Sequence, residues 1–273
     1  MAPEARTTLP PDGARVALVG CGTSWFMARA AASLRETLAL GETDAFSASE
    51  VPAARRYDTV VVISRSGTTT EVVRLLRALA PDTMTVAVTA VPGTPVVEAA
   101  SRALCLEFAD ERSVVQTRFA TSVLALFRAV FGQDLRPAIA DAELALAEPL
   151  AVDPTGFEHF VFLGSGWSTG LADEAALKLR EACRAWTESY PAMEYRHGPI
   201  SVAGPHSLVW SLGDVEPELL AQVARTGATV VRGSLDPMAE LVRIHRVAGA
   251  LAAARGLDPD RPRNLTRSVI LPG

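Results

Sequence analysis

The chain has 273 residues, of which 49% are hydrophobic, and a formal net charge of −5. This length and apolar content suffice for one large or two modest folded domains. No uninterrupted apolar stretch of about 18 residues occurs and the start does not look like a secretory signal, so we expect a cytoplasmic protein with no membrane partner. The acidic balance and the lack of a long basic run exclude an obvious nucleic-acid partner.

The cysteine and lysine contents limit the chemistry further. Cys21, Cys105 and Cys183 lack the spacing of a disulfide framework or a zinc site, so we predict buried thiols, no metal and no cofactor. Of the 26 basic residues, only Lys178 is a lysine. A reaction that needs a side-chain amine therefore has one candidate, although a composition bias would explain the same count.

Apolar runs and helical patterns alternate along the first half of the chain. The first ten residues are expected to form a loose arm. Predicted strands then cover 15–19, 60–63, 83–89 and 103–108, and predicted helices cover 25–40, 66–79, 94–100 and 116–131. This alternation predicts an α/β fold with a doubly wound, mostly parallel sheet (flavodoxin-like) and a ligand at the carboxyl ends of its strands.

The second half begins like the first, since Val161–Trp167 repeats the pattern of Ala17–Thr23. We therefore predict two tandem subdomains, a phosphate-binding one over 1–140 and a second over 141–273 that includes the C-terminal tail. A bridging helix is expected at 138–150. After the predicted strand at 207–212, the turn at Gly213–Glu216 carries two acidic residues, which would repel a phosphate, so one anion site is expected.

That anion site is predicted where the strand Thr59–Ile63 ends in the hydroxyl-rich turn Ser64-Arg65-Ser66-Gly67-Thr68-Thr69 before a helical pattern. Unpaired backbone N–H groups and the positive end of the helix dipole at such a turn suit a phosphate. The turn is neither a Walker loop nor a dinucleotide fingerprint. An ordinary Ser/Thr N-cap, with Glu71 in the first turn, is the alternative.

Reactive side chains are concentrated in the second half. Glu174, Lys178 and Glu181 lie on one face of a predicted helix, and His197 lies in a turn with glycine and proline. Carboxylates and histidine can exchange protons near neutral pH. A surface ion-pair ladder and a structural histidine remain the alternatives.

Six motifs occur together in a specific order: Gly22–Ser24, Ser64–Thr69, Val114–Arg118, Glu174–Glu181, Glu194–Pro199 and Pro262–Val269. In that order, from about residue 15 to the end, the chain resembles the sugar isomerase (SIS) family, and in particular the isomerase domain of glucosamine-6-phosphate synthase. The fold expected is two tandem SIS subdomains. No glutamine-hydrolysing region with an N-terminal cysteine nucleophile precedes the match, so synthesis of glucosamine phosphate from glutamine is not expected.

The resemblance implies roles for individual residues. Glu181 would move a proton between C1 and C2 of the sugar, and His197 would assist ring opening. Lys178, the one side-chain amine, is the third catalytic candidate. The implied phosphosugar-binding residues are Gly22, Thr23, Ser24, Ser64, Arg65, Ser66, Thr69, Val114, Gln116 and Arg267. The family also implies a homodimer with a shared active site, and the apolar helix at 120–130 suits such pairing and a monomer core equally.

Two positions depart from the family pattern. Arg267 stands where the family has a lysine that can form an imine, and Arg65 replaces a glutamine. Arginine does not readily form an imine, so proton transfer through an enediol is expected instead. Arg65 is expected to strengthen anion binding, because it adds a charged fork of donors.

The implied function is a phosphosugar isomerase that interconverts aldose and ketose 6-phosphates, or acts on an amino-sugar phosphate with coupled deamination. A fructosamine-6-phosphate deglycase and a non-catalytic phosphosugar-sensing module are the alternatives. The motifs do not name the sugar, because stereochemical selection depends on pocket contacts.

Overall fold

The computed structural model describes residues 2–271. The chain forms two compact units, each built on a parallel sheet flanked by helices. The first unit comprises the chain up to Arg112, Gln116–Asp134 and the tail from Thr266, and the second comprises Ser113–Val115 and Leu135–Leu265. The tail, which the sequence assigned to the second half, is thus part of the first unit.

The first unit contains a five-stranded parallel sheet with the strand order β2-β1-β3-β4-β5. Its strands are β1 Val16–Gly20, β2 Thr43–Ser47, β3 Thr59–Ile63, β4 Met84–Thr89 and β5 Arg102–Cys105. Its helices are α1 Ala2–Thr8, α2 Thr23–Thr37, α3 Thr70–Ala78, α4 Pro95–Ala99 and α5 Arg118–Val130, with a short 3-10 helix at Glu107–Ala109. The order confirms the predicted doubly wound arrangement of this sheet and places its switch point between β1 and β3.

Helices cover both faces of this sheet, which explains its continuous apolar strands. Every residue of β1 and β3 is buried, as expected for parallel strands without a solvent-facing side. Val72, Val73 and Leu76 of α3 pack into this core. Most apolar residues of α5, among them Phe119, Val123 and Phe127, are buried as well, so this helix contributes to the core of its own unit.

The expectation of a loose N-terminal arm is wrong. Residues Ala2–Thr8 form α1, and Ala5 and Leu9 are buried. Arg102 Nη1 also donates a hydrogen bond to the Thr7 carbonyl at 3.0 Å. The signal was present in the sequence, since Ala5 and Leu9 are four residues apart and therefore share one helical face.

The second unit contains a four-stranded parallel sheet with the strand order β7-β6-β8-β9. Its strands are β6 His159–Gly164, β7 Trp186–Pro191, β8 Ser207–Leu212 and β9 Thr229–Arg232. Its helices are α6 Arg136–Ala147, α7 Ser168–Cys183, α8 Pro217–Ala224 and α9 Pro237–Ala254, with 3-10 helices at Pro154–Gly156, Ala192–Arg196 and Pro199–Val202. The predicted bridging helix corresponds to α6, and β8 has the bounds that the sequence predicts.

The three thiols are all free, but only Cys183 is buried, whereas Cys21 and Cys105 are half-buried. Burial raises the pKa of Cys183 to about 11. Among residues 2–271, no helix has both the length and the apolar character to cross a bilayer. Over the same residues, no three His, Cys, Asp or Glu side chains form a group that could hold a metal ion.

Candidate functional site

Two turns of the first unit leave its sheet at the switch point. One joins β1 to α2, and the other, Ser64–Thr70, which we call the hydroxyl loop, joins β3 to α3. β1 and β3 are paired in parallel with Val19 opposite Val62, so both turns start at the same edge. The neighbouring strands β2 and β4 lie on the outer sides of this pair. Open α/β sheets bind ligands at this position, because the connections diverge there and leave a crevice.

Two glycines fix the backbone at this edge. A Cβ atom on Gly20 would lie 2.5 Å from the carbonyl carbon of Ser24, so β1 and the start of α2 approach too closely for any side chain. Gly67 has φ +65°, and a Cβ atom there would lie 2.0 Å from Thr94 Oγ1. The Gly67 carbonyl accepts a hydrogen bond from the backbone N–H of Val96 at 3.0 Å. The hydroxyl loop is therefore held in one conformation against the start of α4.

The side chains of the hydroxyl loop bring several O–H groups together. Ser64 Oγ lies 3.4 Å from Thr69 Oγ1, and Thr68 Oγ1 donates to Ser66 Oγ at 3.1 Å. Thr69 is the N-cap residue of α3, but its side chain makes no capping hydrogen bond within the described part of the chain. The ordinary N-cap alternative therefore does not explain this residue, and the hydroxyls form hydrogen-bonded pairs at the start of α3.

The first turn supplies the predicted residues Gly22, Thr23 and Ser24. Gly22 is the N-cap of α2 with φ 54°, and it brings no side chain to the helix end. Thr23 and Ser24 follow it in the first turn of α2 and are buried, 4% exposed each. The three residues thus lie beside the hydroxyl loop in the strand order, since β1 is adjacent to β3.

Arg65 and Arg267 are both bonded to other parts of the first unit. The Arg65 side chain is buried, and its Nη2 donates to the Arg267 carbonyl at 3.1 Å. Arg267 Nη1 donates to the Glu111 carbonyl at 2.5 Å, and its Nη2 is paired with the Asp110 carboxylate. The structure therefore brings the two departures from the family pattern into direct contact. That either residue holds a sugar phosphate stays a prediction.

Val114 and Gln116 fall in different compact units. The Val114 N–H donates to the Asp260 carbonyl at 3.3 Å, within the second unit. Gln116 belongs to the first unit, just before α5, and its Oε1 atom is buried and accepts no hydrogen bond from residues 2–271. A sugar-binding role for Val114 and Gln116 stays a prediction.

In the second unit, Lys178 lies between two carboxylates on α7. Its Nζ atom is 2.6 Å from Glu181 Oε2 and 3.4 Å from Glu174 Oε1. The side chains of Lys178 and Glu174 are 1% and 0% exposed, and that of Glu181 is 19% exposed. This burial rules out the surface ion-pair ladder that the sequence left open. Glu181 is the member of the group that solvent or a ligand can reach.

His197, the predicted catalytic histidine, and His245 have different surroundings. His197 follows the 3-10 helix Ala192–Arg196, its backbone N–H donates to the Glu194 carbonyl at 3.0 Å, and the residue is exposed. His245, on α9, was not singled out from the sequence. Burial and the nearby Lys178 charge lower the pKa of His245 to about 3, so its imidazole is neutral near Lys178. The sequence offered no signal for it beyond a lone histidine on an apolar helix.

The switch point of the second sheet has a different character. Ser168 accepts a hydrogen bond from the Ser165 N–H at 2.8 Å, and its Oγ atom lies 2.7 Å from the Leu212 carbonyl. The Ser168 hydroxyl therefore links the turn after β6 to the end of β8. The turn after β8 ends at Glu216, whose carboxylate lies 3.9 Å from Arg196. Side-chain hydroxyls that could bind an anion lie at the switch point of the first sheet, whereas the turn after β8 has none.

Two hydroxyl residues were not among the predicted ligands, namely Thr68 within the hydroxyl loop and Ser268 beside it. Ser268 Oγ lies 2.9 Å from Thr68 Oγ1 and 3.1 Å from Ser66 Oγ. Ser268 lies in the C-terminal motif Pro262–Val269, directly after Arg267. The sequence signal for Ser268 was its position within that motif.

The sequence of residues 12–131 matches the family model described as the SIS domain. Among curated proteins, the isomerizing glutamine–fructose-6-phosphate aminotransferase of Methanothermobacter thermautotrophicus is 27% identical over 302 residues, which cover 93% of this chain and 51% of that protein. The chain spans about half the length of such relatives. The resemblance predicted from the motifs is confirmed by these matches.

Two solved structures show the same fold. Glucosamine-6-phosphate deaminase from Thermotoga maritima superposes with a TM-score of 0.83 at 23% identity, covering 95% of this chain and 92% of that one. Tagatose-6-phosphate ketose/aldose isomerase from Escherichia coli gives a TM-score of 0.83 at 19% identity, covering 99% of this chain and 90% of that one. At these identities the likeness concerns the fold alone.

Proposed function

Because the chain contains an SIS domain over residues 12–131, we propose that it is a phosphosugar isomerase that interconverts aldose and ketose 6-phosphates. The observation that carries this proposal is the hydroxyl loop, whose O–H groups converge at the switch point of the first sheet. A sugar phosphate is the ligand class that suits it, since hydroxyls and helix N-terminal amides together bind a dianion.

In the proposed complex, the phosphate is held by Ser64, Ser66 and Thr69 of the hydroxyl loop, and by Ser24 at the start of α2. Glycine at position 67 keeps the loop backbone in place before the ligand arrives. A group bound far from the reacting carbons lets binding energy orient those carbons. The phosphate would thus serve as a handle while chemistry occurs at C1 and C2.

The proton transfer is assigned to Glu181 of the second unit. As a carboxylate it would remove the proton from C2 of the open-chain aldose and return it to C1 through an enediol, while the hydroxyl proton on O2 is transferred to O1. Lys178 donates to Glu181 Oε2, so the proton would be taken by Oε1. His197, which is exposed, is assigned to ring opening. These steps need neither a metal nor an imine-forming side chain.

Three further expectations accompany this function. The second unit, with its own parallel sheet, is proposed to be a second SIS subdomain. A homodimer with a shared site stays a prediction from the family resemblance, and a cytoplasmic location stays a prediction from the sequence. Light scattering of the purified chain, with and without a hexose 6-phosphate, measures the oligomeric state directly.

The test is a panel of aldose, ketose and fructosamine 6-phosphates, with products and ammonia release followed for the wild type and for Glu181→Gln. Loss of a general base should reduce turnover by roughly 10²- to 10⁴-fold, while the affinity for the phosphosugar stays within a few-fold. Glu143→Gln on α6 is the matched control, because Glu143 is exposed. Normal isomerisation by Glu181→Gln would refute the base assignment.

The same panel separates the alternatives. Ammonia release from an amino-sugar phosphate would indicate a deaminase, and cleavage of a fructosamine 6-phosphate would indicate a deglycase. Binding without turnover of any member would favour a sensing module. The isomerase proposal requires net conversion of an aldose phosphate into the ketose.

A further inference from the structure

The C-terminal segment Thr266–Leu271, which we call the tail strap, lies along the hydroxyl loop. Backbone groups join the two, since the Thr70 N–H donates to the Val269 carbonyl at 3.1 Å and the Leu271 N–H donates to Thr70 Oγ1 at 2.9 Å. Arg65 Nη2 donates to the Arg267 carbonyl at 3.1 Å on the other side of Ser268. The hydroxyl loop is therefore hydrogen-bonded to a segment about 200 residues away in the sequence.

Between these anchors, Ser268 completes a cluster of three hydroxyls. Ser268 Oγ is 3.1 Å from Ser66 Oγ and 2.9 Å from Thr68 Oγ1, and Thr68 Oγ1 is 3.1 Å from Ser66 Oγ. A hydroxyl has one proton and two lone pairs. Thr68 has one proton, which goes either to Ser66 or to Ser268, while Ser66 donates to Ser268. Ser268 is an acceptor in both arrangements, so its own O–H is left for a different acceptor.

We infer that Ser268 is a ligand of the bound phosphate group, to which it donates its own O–H from the cluster that it forms with Ser66 and Thr68. This inference rests on the proposed function, because it extends the phosphate site of the hydroxyl loop by a residue from the tail strap. Donors held in place before binding lose little freedom when the anion arrives. The strap is fixed on both sides of Ser268, by Arg65 before it and by Thr70 after it.

The Arg267 side chain contributes to the same arrangement. Its guanidinium donates to the Glu111 carbonyl and is paired with Asp110, so it ties the strap to the segment that precedes α5. Arg267 thus acts on the site as an anchor of Ser268, with its own charge balanced by Asp110. The opposite model, in which the strap competes with the anion for the loop donors, predicts an opposite change in affinity.

The experiment compares Ser268→Ala, Ser268→Cys and Ser268→Thr with the wild type, using the full chain and inorganic phosphate in calorimetric titrations. Loss of one hydrogen bond to a charged group should weaken phosphate binding about tenfold in Ser268→Ala. Ser268→Cys keeps the size but donates poorly and should show a similar loss. Ser268→Thr retains the hydroxyl and should bind within about threefold of wild type. For a sugar phosphate that is turned over, KM should rise while kcat is unchanged.

The control is Ser101→Ala, because Ser101 Oγ is also bonded to a threonine hydroxyl, Thr85 Oγ1 at 3.0 Å, in the same unit. It should leave phosphate affinity unchanged. Wild-type affinity, or tighter binding, in both Ser268→Ala and Ser268→Cys overturns the inference. A wild-type chain that binds neither phosphate nor any sugar phosphate would instead refute the proposed function.

Discussion

Lys178 Nζ, which is almost fully buried, lies 2.6 Å from Glu181 Oε2, one helical turn along α7. Glu174, one turn before Lys178, is fully buried and 3.4 Å from the same ammonium. A buried charge is tolerated only with its partners, so the three residues form one electrostatic unit. Its stability and the reactivity of Glu181 are therefore linked.

Lys178→Met should destabilise the chain by about 3 kcal/mol or more, because it leaves buried carboxylates without their cation. Adding Glu174→Gln to that variant should recover part of the loss, since one of the two carboxylates is then neutral. Urea unfolding of the single and double variants measures this coupling. Arg77→Met on the exposed face of α3 is the control and should stay within about 0.5 kcal/mol of wild type. Equal stability of Lys178→Met and wild type would contradict this account.

Gly67→Ala should both destabilise the chain and weaken phosphate binding. Its φ of +65° strains any residue with a Cβ, and that atom would also collide with Thr94 Oγ1 at 2.0 Å. Gly93→Ala separates the two effects, because Gly93 has φ +64° and no atom lies within 4 Å of the place that its Cβ would take. Gly93→Ala should cost about 1 kcal/mol and Gly67→Ala distinctly more, by thermal unfolding. Equal costs would show that contact with Thr94 does not matter.

His245 should make the chain sensitive to mild acid. Burial and Lys178 lower its folded-state pKa to about 3, whereas an unfolded histidine has a pKa near 6.5. As the pH falls below about 6.5, the unfolded chain gains a proton that the folded chain does not, so stability is lost progressively toward pH 3. The loss at pH 5 is up to about 2 kcal/mol.

The measurement is the free energy of unfolding at pH 7.5 and pH 5.0 for wild type and His245→Leu. The variant should lose less stability between these two values. His206→Gln, at an exposed position, should behave like the wild type. A pH dependence of His245→Leu that equals that of the wild type would rule out the role of this imidazole.

The sequence predicted those features that depend on neighbouring residues. The run Thr59–Ile63 followed by hydroxyl residues was enough to place a strand, a turn and a helix, and β3 and α3 are found there. β2 was missed, since Thr43–Ser47 is a half-buried edge strand with an aspartate and no apolar run. The pairing of Lys178 with Glu174 and Glu181 followed from helical spacing, but their burial did not.

Contacts between residues that are far apart in the sequence could not be predicted from it. The hydrogen bond from Thr68 to Ser268 joins residues 200 positions apart, and nothing in either local pattern indicates the other. Arg65 was expected to face a phosphate as a charged donor, yet its Nη2 is used on the Arg267 carbonyl. The orientation of a long side chain depends on tertiary packing that periodicity does not contain.

The single lysine has a consequence for how this chain tolerates its own proposed substrate. Open-chain sugar phosphates carry an aldehyde that condenses with free amines and, over time, glycates proteins. Here the one lysine side chain, that of Lys178, is 1% exposed and paired with two carboxylates. The remaining 25 basic side chains are arginines. The described part of the chain should therefore resist adduct formation during long exposure to reducing sugars, and amine-directed reagents should find no accessible lysine on it.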